Sequence, residues 1–130
     1  MVIHNLCLPC AVSKYCIEIA DVVAAADRIR PFVHRTPVMR CAQLDALAGK
    51  DVELFFKCEL FQKTGSFKIR GASNACLAVP EAEAKKGFVT HSSGNHAQAV
   101  ALACQQRGVP AYIVMPSNAP IPKKNAVLHT

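Results

Sequence analysis

A lysine at the start of a helical pattern is the residue of this sequence with the clearest potential for nucleophilic chemistry. Lys68 lies between Phe67 and Ile69, directly after a Thr-Gly-Ser turn, within residues 61–71. An amine among apolar neighbours loses hydration, which favours its neutral form. A neutral lysine amine attacks carbonyl carbons to form Schiff bases. The same spacing also suits a solvated surface lysine, so this segment alone leaves both interpretations open.

A second polar segment, His-Ser-Ser-Gly-Asn-His at residues 91–96, lies between an apolar run and a long helical pattern. A junction of this kind directs backbone N–H groups and two hydroxyls toward a bound anion. Gly94 permits close approach of a ligand to the backbone, and the Asn95 amide can donate to a ring hydroxyl oxygen. An ordinary helix cap formed by Ser93 or Asn95 explains the same residues equally well.

The composition narrows the class of protein and partner. The 130 residues are 52% hydrophobic and 18% charged, which indicates one folded domain with a modest core. The net charge is +6, but the basic residues are scattered and not interleaved with aromatic ones. This pattern disfavours nucleic acid and favours a small partner that carries phosphate or carboxylate. No apolar run reaches the roughly 18 residues of a membrane span, and the start lacks a basic leading region, so we expect a cytoplasmic protein without a membrane anchor.

The seven cysteines indicate reduced thiols, because their number is odd and the sequence lacks a secretory signal. Cys7 and Cys10 have Cys-x-x-Cys spacing, but no second pair stands where it would complete a tetrahedral zinc site, so we expect no metal site. Cys58, Cys76 and Cys104 fall within apolar patterns and are expected in the core.

Helical and strand patterns alternate after an irregular leader predicted over residues 1–14. Helices are predicted over residues 21–30, 41–48, 66–79 and 94–107 and from 123 onward, and strands over 52–58, 88–90 and 111–115. Alternation of this kind predicts an α/β fold with parallel strands layered against helices. Ser66 is expected to cap the third helix. Lys68 then lies in its first turn, where the positive helix end also disfavours a charged amine.

Taken together, the two segments resemble the fold-type II pyridoxal-phosphate enzymes, which share the tryptophan synthase β-like fold, and within them the serine racemases and the threonine and serine dehydratases. The resemblance extends from about Tyr15 to Lys124 and includes Thr-Pro-Val at residues 36–38 and Pro-Ala-Tyr-Ile-Val at residues 110–114. It implies a two-domain enzyme with its cofactor in the cleft. Residues 15–130 would form the N-terminal part, namely the start of the large domain and part of the small one.

The resemblance also implies roles for individual residues. Lys68 would hold pyridoxal phosphate covalently, Phe67 would line the cofactor ring, and Asn95 would hydrogen-bond the 3-hydroxyl. Ser92, Ser93, Asn95 and His96 would receive the carboxylate of the amino-acid substrate, which is serine or threonine. The family further implies a homodimer.

Ser93 discriminates between two activities within this family. Racemisation needs one group on each face of the planar carbanion, and the resemblance implies Lys68 on one face and Ser93 on the other. Dehydratases typically have alanine at this position. The serine therefore favours interconversion of L- and D-serine, with β-elimination to pyruvate and ammonia as a side activity. Ala97 and Gln98 are closer to the dehydratase pattern, so a threonine or serine dehydratase remains the alternative.

The family's activator sites are represented only in part. Lys63, Thr64 and Gln98 match the ATP site, whereas Cys41 and Ala42 replace two hydroxyl residues. The phosphate-binding glycine loop and the Mg²⁺ carboxylates of the family follow the position of Thr130. We therefore expect a truncated chain, and a second hypothesis is an inactive fragment that acts at most as an interaction partner of full-length subunits.

Overall fold

The computed structural model describes residues 15–128. The predicted irregular leader over residues 1–14, with Cys7 and Cys10, lies outside the described residues. The helices are α1 (Ile19–Ile29), α2 (Ala42–Ala48), α3 (Lys68–Ala78), α4 (Glu81–Ala84), α5 (Asn95–Arg107) and α6 (Ile121–Leu128). The strands are β1 (Val38–Met39), β2 (Phe56–Lys57), β3 (Phe88–His91) and β4 (Ala111–Val114), and two 3₁₀ turns span Glu59–Phe61 and Lys63–Gly65. Between residues 15 and 128, no helix combines the length and the apolar character needed to cross a bilayer.

The strands form two separate pairs of opposite direction. Strands β3 and β4 are parallel, with Phe88 opposite Ala111, and this pair confirms the predicted parallel layering. Strands β1 and β2 are antiparallel, so the expectation of parallel strands is wrong for this pair. The strand predicted over residues 52–58 contracts to β2. One reason is that the Leu54 N–H donates to the Asp45 carboxylate at 2.7 Å, which removes a donor from strand pairing.

The core lies between α3 and α5, where small side chains let the two helices approach closely. Ile69 is fully buried, and it packs with Ala72, Cys76, Ala99, Val100, Ala103 and Cys104. Phe88 and Ile113 cover this cluster from the parallel strands. The burial predicted for Cys58, Cys76 and Cys104 is confirmed. Burial raises the pKa of the Cys104 thiol to about 12 and also raises that of Cys76, with which it shares a hydrogen bond. Both groups therefore remain thiols.

Helix ends follow local signals where these exist. Helix α5 ends at Arg107, as predicted, because Gly108 follows with a left-handed φ of 73°, a conformation that closes a helix and suits glycine. Helix α1 begins two residues earlier than predicted, because the Asp21 carboxylate accepts the Glu18 N–H at 2.9 Å. The predicted apolar face of this helix comprises Val22, Val23, Ala26 and Ile29. Ile29 is buried, whereas Val22 and Val23 are each 54% exposed within the described chain, so the face is covered only near the end of the helix.

Arg107 joins the ends of three helices that sequence patterns did not connect. Its guanidinium donates to the carbonyl oxygens of Cys76 and, at 2.6 Å, of Val79, which are free groups at the end of α3. It also pairs with Glu81 at 3.5 Å, at the start of the short helix α4 that the sequence patterns missed. Because only 10% of the Arg107 side chain is exposed, its bonds to the two carbonyl oxygens are largely shielded from solvent, whereas its partner Glu81 is 68% exposed.

Candidate active site

Lys68 is the first residue of α3, and a tight reversal of the chain places it there. Thr64 and Gly65 both adopt left-handed φ values, of 62° and 67°. This conformation costs a non-glycine residue on the order of 1 kcal/mol or more, so the turn at Thr64 is held by its surroundings. The helix then begins after Phe67, and the predicted position of Lys68 in the first turn is confirmed.

The Lys68 amine is accessible. Its residue is exposed, and Nζ lies 5.1 Å from the centroid of the Phe67 ring, which is itself 58% exposed. The sequence-based expectation that apolar neighbours dehydrate this amine is therefore wrong for the described residues. The next residue, Ile69, is fully buried, so the backbone is anchored while the amine stays open to a ligand.

Ser66 does not cap α3, contrary to the sequence-based prediction. The capping position belongs to Phe67, and Ser66 has extended backbone one residue earlier. Its Oγ is buried and has no hydrogen-bond partner among the described residues. Tertiary burial against neighbouring elements, and not local capping, thus fixes this serine.

The second predicted segment forms an open helix start. Gly94 is the capping residue of α5, and within the described chain no side chain caps that helix, so the interpretation of Ser93 or Asn95 as an ordinary cap is wrong. Instead the Ser92 Oγ accepts the Gly94 N–H at 3.2 Å, and the Ser92 N–H donates to the Val114 carbonyl at 3.1 Å. These bonds hold the segment at the carboxyl ends of β3 and β4, which is where open α/β sheets bind ligands.

Two cavities contain most of the predicted residues. One, of about 400 Å³, is lined by His91, Ser92, Ser93, Val114, Met115 and Pro116. The other, of about 420 Å³, is lined by Phe67, Lys68 and His96, together with Thr90 and mainly apolar residues of α3, β3 and α5. The structure thus brings Lys68, Phe67 and His96 together in one cavity and places Ser92 and Ser93 in the other. Asn95 is exposed in the first turn of α5.

The residues matched to an ATP site lie on two contacting elements. Lys63 and Thr64 are half-buried in the turn Lys63–Gly65, which packs against α5, and Gln98 is half-buried on α5. The Thr64 Oγ1 is buried without a partner among the described residues. Cys41 and Ala42 lie instead at the start of α2. Within the described part of the chain, no group of three or more His, Cys, Asp or Glu side chains is placed to hold a metal ion.

A polar cluster beside Lys68 was missed by the sequence patterns. Arg70 makes two hydrogen bonds of 2.8 Å to the two carboxylate oxygens of Glu59, and the Thr36 hydroxyl donates to the same carboxylate at 2.6 Å. The hydrogen bonds from Arg70 are the largest cause that lowers the pKa of Glu59 from 4.5 to about 2. One signal was available, because Glu59 is the only carboxylate in residues 54–80, which hold four cations.

Comparison with known proteins identifies the family. The protein-family model described as "Pyridoxal-phosphate dependent enzyme" matches residues 29–129 of this sequence. Serine racemase of Oryza sativa subsp. indica is 58% identical over 113 residues, which cover 87% of this chain and 33% of that protein. The solved structure of maize serine racemase has a TM-score of 0.83 at 56% identity, covering 88% of this chain and 34% of that one.

The crystal structure of a T.th. threonine deaminase is also similar, with a TM-score of 0.76 and 44% identity over 87% of this chain and 34% of that one. The chain therefore spans about a third of the length of these relatives. Because the family match covers most of the described residues, including Lys68 and the α5 start, this chain belongs to the pyridoxal-phosphate dependent enzymes.

Proposed function

We propose that this chain supplies the cofactor lysine and the substrate-binding loop of an enzyme that interconverts L- and D-serine, with elimination of serine to pyruvate and ammonia as a side activity. One observation carries the proposal. The accessible Lys68 amine shares a cavity with His96, at the first turn of α5, and Ser92 and Ser93, just before that helix, line a second cavity at the carboxyl ends of the parallel strands. The similarity to serine racemases favours serine as the substrate.

The described residues suit the reactive end of pyridoxal phosphate. Lys68 offers an exposed amine for an aldehyde, and Asn95 offers an exposed amide for a ring hydroxyl. Apart from its two chain neighbours, a methyl group added at Gly94 would meet no atom of the described residues within 4 Å, so the space beside this backbone is open. The six glycines of the sequence are well separated from one another, and none of them forms a glycine-rich loop for the phosphate. The residues therefore fit the aldehyde and hydroxyl groups of the cofactor.

The bound cofactor would supply an electron sink that makes the α-hydrogen of an amino acid acidic. Lys68 would hold the cofactor covalently and, once released, its amine would take the α-proton from one face. The Ser93 hydroxyl would return a proton at the opposite face, which inverts the configuration. The N-terminus of α5 and the Ser92 hydroxyl would bind the substrate carboxylate. Elimination would need the Lys68 amine but not the second group.

A threonine or serine dehydratase is the second candidate, and a specific observation favours it. The structural likeness to a threonine deaminase is close, and Ala97 with Gln98 continues the pattern of those enzymes. The side chain at position 93 separates the two candidates, because elimination proceeds without a proton donor on the second face.

Uncovered apolar surface supports a role in association, either within a homodimer or as an interaction partner without catalysis of its own. Val89, Tyr112 and Val114, on the parallel strands, are 75%, 55% and 60% exposed within the described chain. Such a surface is typical of a face that another chain or segment covers.

We also propose a cytoplasmic location, and activation by ATP at Lys63, Thr64 and Gln98 with Mg²⁺ as a second activator. The unpartnered Thr64 hydroxyl supports the ATP part of this proposal.

A chimera tests the proposed function directly. Residues 19–128 would replace the equivalent segment of a full-length serine racemase, and D-serine and pyruvate would be measured with L-serine as substrate. Lys68→Ala should abolish both products, whereas Lys85→Ala removes another exposed lysine, at the end of α4, and should change neither. Retention of both activities in Lys68→Ala would refute the role of Lys68.

A further inference from the structure

The cluster around Arg70 lies two residues from the proposed cofactor lysine. We propose that Arg70 is a positioning residue for Lys68, held in its conformation by Glu59 and Thr36. This inference rests on the proposed function, since it concerns the same lysine.

Arg70 is fixed by more contacts than a surface ion pair requires. Its Nε and Nη2 bind the two oxygens of Glu59 at 2.8 Å, which is the bidentate arrangement that fixes a guanidinium in one plane. Nη2 also lies 3.2 Å from the His34 carbonyl oxygen and 3.3 Å from the Thr36 hydroxyl. The side chains of Arg70 and Glu59 are only 30% and 18% exposed. The guanidinium thus has a single well-defined orientation.

The partners of Arg70 belong to a frame that is itself cross-linked. The Gln62 side chain, on a residue that is 4% exposed, accepts the His34 N–H at 2.9 Å and donates to the His34 carbonyl at 2.7 Å. The Lys57 amine donates to the Thr36 carbonyl at 2.6 Å. The loop over residues 34–36 and the turns over residues 59–65 are therefore joined by hydrogen bonds before α3 begins, and Arg70 attaches the first turn of α3 to them.

This attachment acts on Lys68 because of its place in the turn. Helix ends fray when their backbone groups lack tertiary support. Ile69 anchors the turn in the core, and Arg70 anchors it to the frame, so the backbone of Lys68 is held from the next two positions. A displacement of about 1 Å in a reacting group reduces a rate by as much as about a hundredfold. Loss of the Arg70 contacts should therefore lower the reactivity of Lys68 even where the fold survives.

The test measures the selectivity of labelling in the full chain. Pyridoxal phosphate and borohydride would be added, and the label at Lys68 would be compared with that at Lys85 by peptide mass spectrometry. We expect the unsubstituted chain to prefer Lys68 by about tenfold or more, since ordered geometry favours the bound reaction. Arg70→Lys keeps the positive charge but loses the paired hydrogen bonds of the guanidinium. We expect it to remove the preference, so that Lys68 and Lys85 are labelled to about the same extent. Glu59→Gln should also reduce the labelling preference for Lys68 over Lys85.

Arg28→Lys is the matched control, because Arg28 also binds α3, through Asn74, but lies away from the first turn. It should leave the preference unchanged. Circular dichroism and thermal unfolding of each variant separate positioning from folding. An unchanged preference in both Arg70→Lys and Glu59→Gln would overturn the inference, whether or not the unfolding temperature falls. Absence of any preference in the unsubstituted chain would instead contradict the proposed role of Lys68, and the positioning role would fall with it.

Discussion

Replacement of Glu59 by glutamine should flatten the dependence of stability on acidic pH. Hydrogen bonds from Arg70, assisted by the Thr36 hydroxyl, lower the pKa of Glu59 from 4.5 to about 2 in the folded chain. A carboxylate whose pKa is lowered by folding stabilises the fold at pH values above its pKa in the unfolded state, because the unfolded state binds the proton more readily. This contribution should be complete above pH 4.5 and should disappear as the pH falls toward 2.

The expected magnitude follows from the size of the shift and from the exposure of the pair. A fully realised shift of this size corresponds to about 3 kcal/mol. Solvent reaches both partners, with 18% of the Glu59 side chain and 30% of the Arg70 side chain exposed. Screening therefore reduces the expected contribution to about 1–2 kcal/mol of unfolding free energy.

Urea unfolding of the full chain, at several pH values between about 6 and about 2, measures this contribution. Glu59→Gln should be less stable than the unsubstituted chain at neutral pH, and the difference should vanish toward pH 2. Asp45→Asn is a useful control. A hydrogen bond from the Leu54 N–H lowers the pKa of Asp45, so this variant also removes a carboxylate with a lowered pKa but leaves the Glu59 contribution intact. A difference between Glu59→Gln and the unsubstituted chain that stays constant down to pH 2 would refute the charge-based reasoning.

Two further predictions concern the second proton donor and a glycine turn. In the chimera, Ser93→Ala should remove racemisation and spare elimination from L-serine, and equal loss of both would contradict a two-base mechanism. Gly87→Ala should destabilise the chain by about 2–3 kcal/mol in urea unfolding, because φ is 85° and a Cβ would lie 2.7 Å from the Pro110 carbonyl oxygen. Gly71→Ala, on α3 with open space around it, should be neutral or stabilising by up to about 1 kcal/mol, and equal losses at both glycines would show that the contact with Pro110 is unimportant.

Helices with strong local end signals were predictable from the sequence. Gly49 and Gly108 end α2 and α5 where predicted, because a glycine tolerates the backbone conformation that closes a helix. The position of Lys68 in the first turn of α3 was also correct, since the apolar pattern and the preceding turn agreed.

The remaining differences arise from contacts between distant residues. Contraction of the predicted strand over residues 52–58 depends partly on the bond from Leu54 to Asp45, nine residues away. The two ends of the Arg70–Thr36 contact are 34 residues apart, so no short window contains both. An amphipathic pattern in α1 indicated an apolar face, but such a pattern does not specify what covers it. The exposure of Val22 and Val23 in the described chain illustrates this limit.

The two arginines at opposite ends of α3 have a consequence for how this segment can change during evolution. Arg70 binds the frame beside the first turn, while Arg107 reaches the carbonyl groups of the last turn from α5. Each residue in an α-helix advances the side-chain direction by about 100°. An insertion or deletion of one residue within Lys68–Ala78 would therefore rotate one end of the helix relative to the other. Either the contacts of Arg70 or those of Arg107 would be lost, and either Lys68 or the buried side chains would turn away from their positions. Length variation among related sequences should consequently fall in the loops on either side, while this helix keeps a constant number of residues.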